Sequence, residues 1–457
     1  MKRQNLSEVW KERFKPLFTK KYLESLVKTM HDRVRYVNLD NAATTPPFKV
    51  IKSRVNSAFD SYGSIHRGAG QNSQITTERY EGAREQLRRF VNASPENYVL
   101  FTKNTTESIN QAAALLVTVP GKVLVSDIEH SSNLLPWLKN GKIVQYKTNP
   151  DSTVNLGSIE KALREGTGSI KLVTITGSSN VTGYRPPLDE IARLAHSYGA
   201  KILVDACQLV PHAKLDIKAD NDPAHLDFVA FSGHKMYAPY GSGVLIGPKS
   251  FFDEVMPYQI GGGNLPYITK DLNIIRFQTV RAHDPGTANF VGALAMAEAS
   301  KTLDAISYDT IAEYEHALVS QTCDELKQIT GVTVYAPEGH LSSVIPFEIK
   351  GFDSRLTAVI LAKEHGIGVR AGSFCTYELL RKLKGITDAQ DSQIADEVRS
   401  GITKNIPGLV RASFGLANRP EDSERLVQAV REIIQNGPQN YSSAYCQNPT
   451  TGAWIPR

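Results

Sequence analysis

The chain has 457 residues, 41% hydrophobic and 22% charged, the balance of a water-soluble globular protein long enough for one large and one smaller domain. Its longest apolar runs, such as "AAALLVTV", fall far short of the roughly 20 residues of a membrane span. The net charge of +5 is no nucleic-acid footprint: residues 1–38 hold ten Lys/Arg against four Asp/Glu, and the rest holds 42 against 43.

In the basic arm, residues 1–38, Leu6, Val9, Trp10, Phe14, Leu17 and Phe18 recur at helical spacing. That pattern predicts an amphipathic helix packed on the body of the protein or on a second subunit, rather than a nucleic-acid or membrane-binding segment. The start of the chain has no continuous apolar stretch of the signal-peptide kind. Cys207, Cys323, Cys375 and Cys446 are widely spaced with no CxxC pair, so neither a disulfide framework nor a metal site is expected, and a reducing cytoplasm suits them.

From residue 95 to 247, strand-like runs alternate with helical ones. "NYVLFT" leads into "NTTESINQAAALL", and "GKVLVSDIEH" and "IKLVTITG" follow. "RPPLDEIARLAHSYG" places Leu188, Ile191, Leu194 and Ala195 on one helical face. "AKILVDACQ", "LDFVAFSG" and "GSGVLIG" complete the series. Strands that are apolar throughout, separated by helices, predict an α/β fold with a largely parallel sheet covered on both faces. Beyond "IGGGN" and "DPGTANFVGALAMAEA" the pattern changes to short strands ("GVTVYA", "LSSVIPFEI", "GIGVRA", "LVRASFG") interleaved with helices, a smaller α+β domain. The expected divisions are 1–38 (arm), 39–298 (large domain), 299–436 (small domain) and 437–457, a turn-rich tail read as an extended strap anchored by Tyr441, Tyr445 and Trp454.

Functional groups gather at the carboxyl ends of parallel strands. Those ends carry Asn104, Thr105 and Thr106; then Asp127, Glu129 and His130; then Asn180; then Asp205 and Gln208; and last Ser232, His234 and Lys235. Each alone reads as a solvated end or a cap. Together they suit pyridoxal 5′-phosphate, which needs an amine for its aldehyde, a carboxylate for its ring nitrogen, a flat side chain against its ring and an anion cradle. Lys235, Asp205, His130 and the helix start at Thr105 and Thr106 supply these.

The motifs "LDNAATTPP", "IHRGAGQNSQITTERYEGAR", "TTESIN", "EHSSNLLPW", "SNVTG", "VDACQLVPH", "FSGHKMYAPYGSGVL", "PGTAN", "VRAGSFC" and "VRASFGLAN" occur in order over about residues 36 to 435. This set resembles the class V group of pyridoxal-phosphate enzymes of fold type I, within it the cysteine desulfurase/selenocysteine lyase branch. The resemblance implies a mostly parallel seven-stranded sheet and a homodimer with active sites near the subunit interface. Lys235 would take the cofactor's aldehyde and then carry the substrate Cα proton. Asp205 would pair with the ring nitrogen, Gln208 would contact the ring O3′, and His130 would stack on the ring and assist proton transfer. Thr105, Thr106, Ser232 and His234 would hold the phosphate, with Thr287 reaching the cofactor of the neighbouring subunit. Arg411 would clamp the substrate carboxylate with help from Asn180. His66 and Arg67 would stand near the mouth.

Cys375, in an Arg-x-Gly-x-x-Cys arrangement with Arg370, occupies the place of the desulfurase nucleophile. It would take sulfur from L-cysteine as an enzyme persulfide, leave L-alanine, and pass the sulfur to an acceptor protein. Residues alone also allow a buried apolar cysteine there and a surface salt bridge at Arg411. Where the branch often has two histidines before the cysteine, Ser373 and Phe374 stand here. An aminotransferase or C–S lyase acting on another amino acid, and an inactive scaffold, are the alternatives.

Overall fold

The computed structural model describes residues 3–141, 143–166, 168–339 and 342–457, so Met1 and Lys2 of the arm and Leu341 lie outside the described residues. Seven strands form the central sheet: β1 (Asn97–Thr102), β2 (Lys122–Ser126), β3 (Ile143–Tyr146), β4 (Ile170–Thr176), β5 (Lys201–Asp205), β6 (Phe228–Ser232) and β7 (Gly243–Pro248). Their order is β1-β7-β6-β5-β4-β2-β3, parallel throughout except that β7 runs antiparallel to both neighbours.

The apolar runs are continuous because both faces are buried. Side chains of a strand alternate between faces, and Ile202, Val204, Val229 and Phe231 join one core while Leu203, Phe228 and Ala230 join the other. β3 was not distinguishable as a strand in the sequence. It is the sheet's edge, three of its four residues are only half-buried, and so it lacks the apolar signature of its neighbours.

The smaller layer is a four-stranded antiparallel sheet of β8 (Val332–Val334), β9 (Val344–Ile349), β10 (Arg370–Gly372) and β11 (Leu409–Ser413), in the order β8-β9-β11-β10. The arm packs on its own chain: Leu6, Trp10, Phe14 and Phe18 are buried, with the Phe14 ring 4.7 Å from that of Tyr314 and Phe18 5.6 Å from Phe48. Beyond it, Val37–Asn38 pairs in parallel with Ile367–Gly368, tying the N-terminal segment to the small layer.

The tail departs from an extended strap. The last long helix, Pro420–Ala444, runs through it with one break at Gly437, whose φ of 72° ends the first helical stretch. Pro438 follows in a position where a new helix tolerates proline. Tyr441 and Tyr445 are buried, and Trp454 lies in the closing hairpin of Tyr445–Gln447 with Trp454–Pro456.

Candidate active site

The strand ends converge on a cavity of about 320 Å³ between the two sheets. All the expected site residues line it except Thr287, His66 and Arg67, whose Nη2 donates instead to the Gly262 and Gly286 carbonyls at 2.8 and 3.1 Å. Helix α1 (Thr105–Leu116) opens at the cavity, capped by Asn104, whose Oδ1 accepts from the Glu107 amide at 2.9 Å. Thr105 Oγ1 lies 2.7 Å from Ser232 Oγ, which also accepts from the Thr105 amide at 2.7 Å. Thr106 Oγ1 meets Ser132 Oγ at 2.7 Å. Hydroxyls and backbone N–H groups thus concentrate at a helix N-terminus, a setting suited to a phosphate.

Lys235 ends a 3-10 turn, Gly233–Lys235, directly after β6. The turn is fastened from two sides. The His234 carbonyl accepts from the Thr45 amide and Thr44 Oγ1, both at 3.0 Å. A Cβ on Gly233 would stand 2.7 Å from Ser242 Oγ and 2.8 Å from the Ala238 carbonyl, so only glycine fits there. Asp205, at the end of β5, is 5% exposed, and its carboxylate accepts from the Cys207 amide at 3.1 Å. Burial raises its pKa, against that bond and the nearby Lys235 charge. A buried carboxylate of this kind calls for a cationic partner, which a protonated pyridine nitrogen supplies. The residues present therefore fit pyridoxal phosphate.

His130 caps helix α2 (Ser131–Lys139), its Nδ1 accepting from the Ser132 amide at 3.1 Å, which fixes the ring and leaves the proton on Nε2. Burial first, then the charges of Lys235 and Arg411, hold its pKa down to about 4. His234 is likewise held to about 4 by burial and Lys235. The unfolded chain protonates a histidine near 6.5, so between about 6.5 and 4 it binds protons that the folded chain refuses. Stability from these groups is present above that window and lost as pH falls through it. Chemical denaturation of the cofactor-free protein is expected to show a smaller loss between pH 7.5 and pH 5 in His130→Gln than in wild type. An identical loss would count against a neutral, buried imidazole.

Arg411, in β11, is 2% exposed. Its Nη1 donates to the Asn180 carbonyl at 2.9 Å and its Nη2 to Asp40 at 3.3 Å, while Nε is buried with no partner among the described residues. Burial pulls its pKa down to about 10, and Asp40 opposes that shift, so the group is charged at neutral pH. An arginine of the small layer lines the cavity with an unsatisfied donor, and the surface salt bridge is excluded.

Cys375 is exposed and lines the cavity, so the reading as a buried apolar cysteine is excluded too. It sits with Phe374 in left-handed backbone, at φ 57° and 55°. Neither is glycine, and such a conformation costs about 1–3 kcal/mol per residue unless neighbours hold it. They do. The Cys375 carbonyl accepts from the Ser131 amide at 2.7 Å and from Ser131 Oγ at 2.8 Å, and the Phe374 carbonyl accepts from Asn180 Nδ2 at 2.8 Å. Asn180 Oδ1 takes the Thr376 hydroxyl at 2.9 Å.

Asn180 lines the cavity, where its side chain joins the cysteine loop through Nδ2 and Oδ1 and its backbone carbonyl takes Arg411 Nη1. The Arg411 guanidinium carbon lies 4.9 Å from the centre of the Phe374 ring, so the phenylalanine that replaces a histidine of the desulfurase pattern supports the arginine.

His66 is not among the residues lining this chain's cavity, and its Nε2 lies 2.8 Å from Glu81 Oε1. Thr287 is exposed and outside this chain's cavity. Gln208 lines it, with Nε2 donating to the Ala42 carbonyl at 2.6 Å. Asp127 and Glu129 are structural: Asp127 accepts from the Thr148 hydroxyl at 2.7 Å, and Glu129 from Asn133 at 2.6 Å and the Thr176 amide at 3.1 Å. Sequence reasoning missed Asp40, which takes Arg370 through Nε and Nη2 and also reaches Arg411. Its one signal was membership of the "LDNAATTPP" run.

The aminotransferase class-V family model matches residues 37–426. The chain is 32% identical to a probable cysteine desulfurase of Halalkalibacterium halodurans over 407 residues, 87% of this chain and 92% of that protein. It is 31% identical to a cysteine desulfurase of Synechococcus elongatus over 404 residues, 86% of this chain and 60% of that one. Among solved structures, an apo cysteine desulfurase from Thermococcus onnurineus aligns with a TM-score of 0.77 at 29% identity, over 88% of this chain and 95% of its own. The cysteine desulfurase CsdA from Escherichia coli aligns with a TM-score of 0.74 at 28% identity, over the same shares.

Proposed function

The chain belongs to the aminotransferase class-V family, and from that premise we propose that it is a cysteine desulfurase, converting L-cysteine to L-alanine with transfer of sulfur to Cys375. The observation that carries this reading is an exposed thiol lining the same cavity as a lysine, a buried carboxylate and a buried arginine.

Pyridoxal phosphate would be held by Lys235, Asp205, His130 and the hydroxyl cluster at Thr105, Thr106 and Ser232, and when bound would supply an electron sink that loosens bonds at the α- and β-carbons of a bound amino acid. The chain's own residues do the rest. Arg411 binds the carboxylate and so fixes which face of the amino acid meets Lys235. Lys235 Nζ takes and returns the Cα proton. The Cys375 thiolate attacks the substrate sulfur: an S–S bond forms, the C–S bond breaks, and the electrons of that bond stay with carbon, which is protonated to give alanine. The Phe374 ring has no proton to give, so proton traffic at this step falls to Lys235 and His130.

The test is product analysis. Purified protein with L-cysteine and a thiol reductant is expected to yield alanine and sulfide in equal amounts. Pyruvate and ammonia in place of alanine would identify a C–S lyase instead.

The working assembly in this reading is a homodimer. An exposed hairpin, Tyr267–Ile268 with Ile274–Ile275, carries Leu272 at 80% exposure and Tyr267 at 61%, apolar surface that a second copy would cover while bringing Thr287 to the partner's cavity. Sedimentation at the mass of one chain would sink this. The exposure of Cys375 leaves its sulfur accessible to an acceptor protein. Among the described residues no helix is long and apolar enough to cross a membrane, and we place the enzyme in the cytoplasm, where free thiols stay reduced; recovery in a membrane or secreted fraction would refute that.

A further inference from the structure

At the opposite end of the central sheet, three groups that the reaction does not use face one another. His196 lies in the last turn of the helix Leu188–Ser197. His225 and Asp227 stand just before β6. Lys201 opens β5 while Asp205 closes it, which separates this cluster from the active-site cavity by roughly 13 Å along one strand.

The hydrogen bonds of the two imidazoles decide what the cluster can hold. His196 Nδ1 is 2.8 Å from the Pro223 carbonyl, and His225 Nδ1 is 2.8 Å from the Asp222 carbonyl. A carbonyl only accepts, so in both rings Nδ1 carries the hydrogen. Both Nε2 atoms then point at the Asp227 carboxylate, His196 Nε2 at 2.9 Å from Oδ2 and His225 Nε2 at 3.4 Å from Oδ1. Neutral imidazoles in that arrangement would oppose lone pairs to a carboxylate, which is repulsive.

Lys201 Nζ, 2.8 Å from Oδ1, offsets part of the carboxylate's charge, and the remaining repulsion is relieved by protonating one or both rings or by a metal ion bound among the three. Protonating both sets two positive rings in a stack, their centroids 4.3 Å apart and their planes 21° from parallel, where they repel. One divalent ion replaces both protons and removes that clash.

We propose that His196, His225 and Asp227 form a binding site for a divalent transition metal ion of the imidazole-preferring class, zinc above all. Two histidines and a carboxylate are a known zinc ligand set, and a backbone carbonyl on each Nδ1–H is the outer contact that orients such ligands. The ligand atoms lie within 4.8 Å of one another, and among the described residues no other group of three histidine, cysteine, aspartate or glutamate side chains does so. Bonds of about 2.0–2.2 Å, with the ion in the plane of each ring, ask for an inward shift of about 1 Å and for the two rings to turn out of their stacked arrangement. A neighbouring cavity of about 830 Å³ leaves the fourth position open to water. The sparse cysteines argued against a metal site; this one uses none.

The structure also names the competitor. Lys201 Nζ sits 2.8 Å from Asp227 Oδ1, an ammonium at an oxygen the metal would take. Against burial, which works to raise it, the two rings and this ammonium hold the Asp227 carboxyl well below the usual carboxylate range, and the Ile202 amide donates to Oδ2 at 2.9 Å. Metal binding would shift Lys201 outward, where it is already 47% exposed.

The test is equilibrium dialysis of the chelator-stripped, cofactor-loaded protein against zinc chloride, with elemental analysis, in a Cys375→Ser background that removes the exposed thiol. One zinc per chain is expected, with affinity falling at least about 10-fold in His225→Ala and in His196→Gln. Lys201→Met is expected to bind zinc more tightly, and binding is expected to weaken as pH drops from 7.5 to 6, because the ion displaces protons. If either histidine variant fails to fold, the other and Lys201→Met decide. Zinc retention unaffected by every substitution that folds, or no retained zinc in the parent protein, would overturn the site. The site is independent of the desulfurase reading, so failure of one leaves the other standing.

Discussion

Replacing Lys235 with alanine is expected to cut alanine formation from L-cysteine by about 10³-fold or more, the scale of losing both a covalent anchor and an acid–base group. The visible band of the bound cofactor should change in the same variant. The reason is placement. The amine leaves a turn pinned at the His234 carbonyl by the threonines at 44 and 45, beside Ser232 locked to Thr105, with no room for a side chain at Gly233. Among the described residues no other lysine lines the cavity. Lys235→Arg should be nearly as inactive, because a guanidinium neither condenses with an aldehyde nor gives up its proton near neutral pH. Activity within about tenfold of wild type in either variant, with the fold intact by circular dichroism, would remove Lys235 from the reaction.

The second large effect belongs to Cys375→Ser, expected to lower alanine formation about 10²-fold or more while leaving the cofactor band in place. A hydroxyl does not ionise near neutral pH and cannot accept sulfur as a thiolate does. The substitution is mild structurally, because the loop is held by backbone and neighbour contacts, Ser131 on the Cys375 carbonyl and Asn180 on that of Phe374, which serine preserves. The two variants separate two failures. Lost alanine with a normal cofactor band assigns the thiol to sulfur transfer. Full turnover to pyruvate without the thiol would mean that the cavity performs lyase chemistry and that Cys375 is a bystander.

Much of this site was legible in the chain because its parts are local. An apolar run ending in a polar cluster identifies a strand buried on both faces that reaches a solvent-filled edge, and each of the five parallel-strand ends that line the cavity follows this rule. The six apolar runs read as strands are strands, and the seventh, Ile143–Tyr146, was hidden because an edge strand need not be apolar. Lys235, Asp205 and His130 could be read with their partners because each completes the need of one small molecule. The histidines at 196 and 225 showed nothing: their meaning lies in which ring nitrogen is already taken, and that depends on carbonyls which only the folded loop delivers.

What the sequence by itself determined is the architecture of the large layer and the inventory of chemical groups at its edge, since both follow from hydrophobic periodicity and from residue type. The tertiary structure alone decided how those groups are shared. Asp40 and Arg411 are 371 residues apart, yet one carboxylate steadies both Arg411 and Arg370. Asn180 also braces the loop of Cys375, and Phe374 lies under the arginine it was not known to touch. A donor can satisfy only the acceptor within its reach, and reach across hundreds of residues is set by how two sheets pack, which no local pattern in the chain encodes.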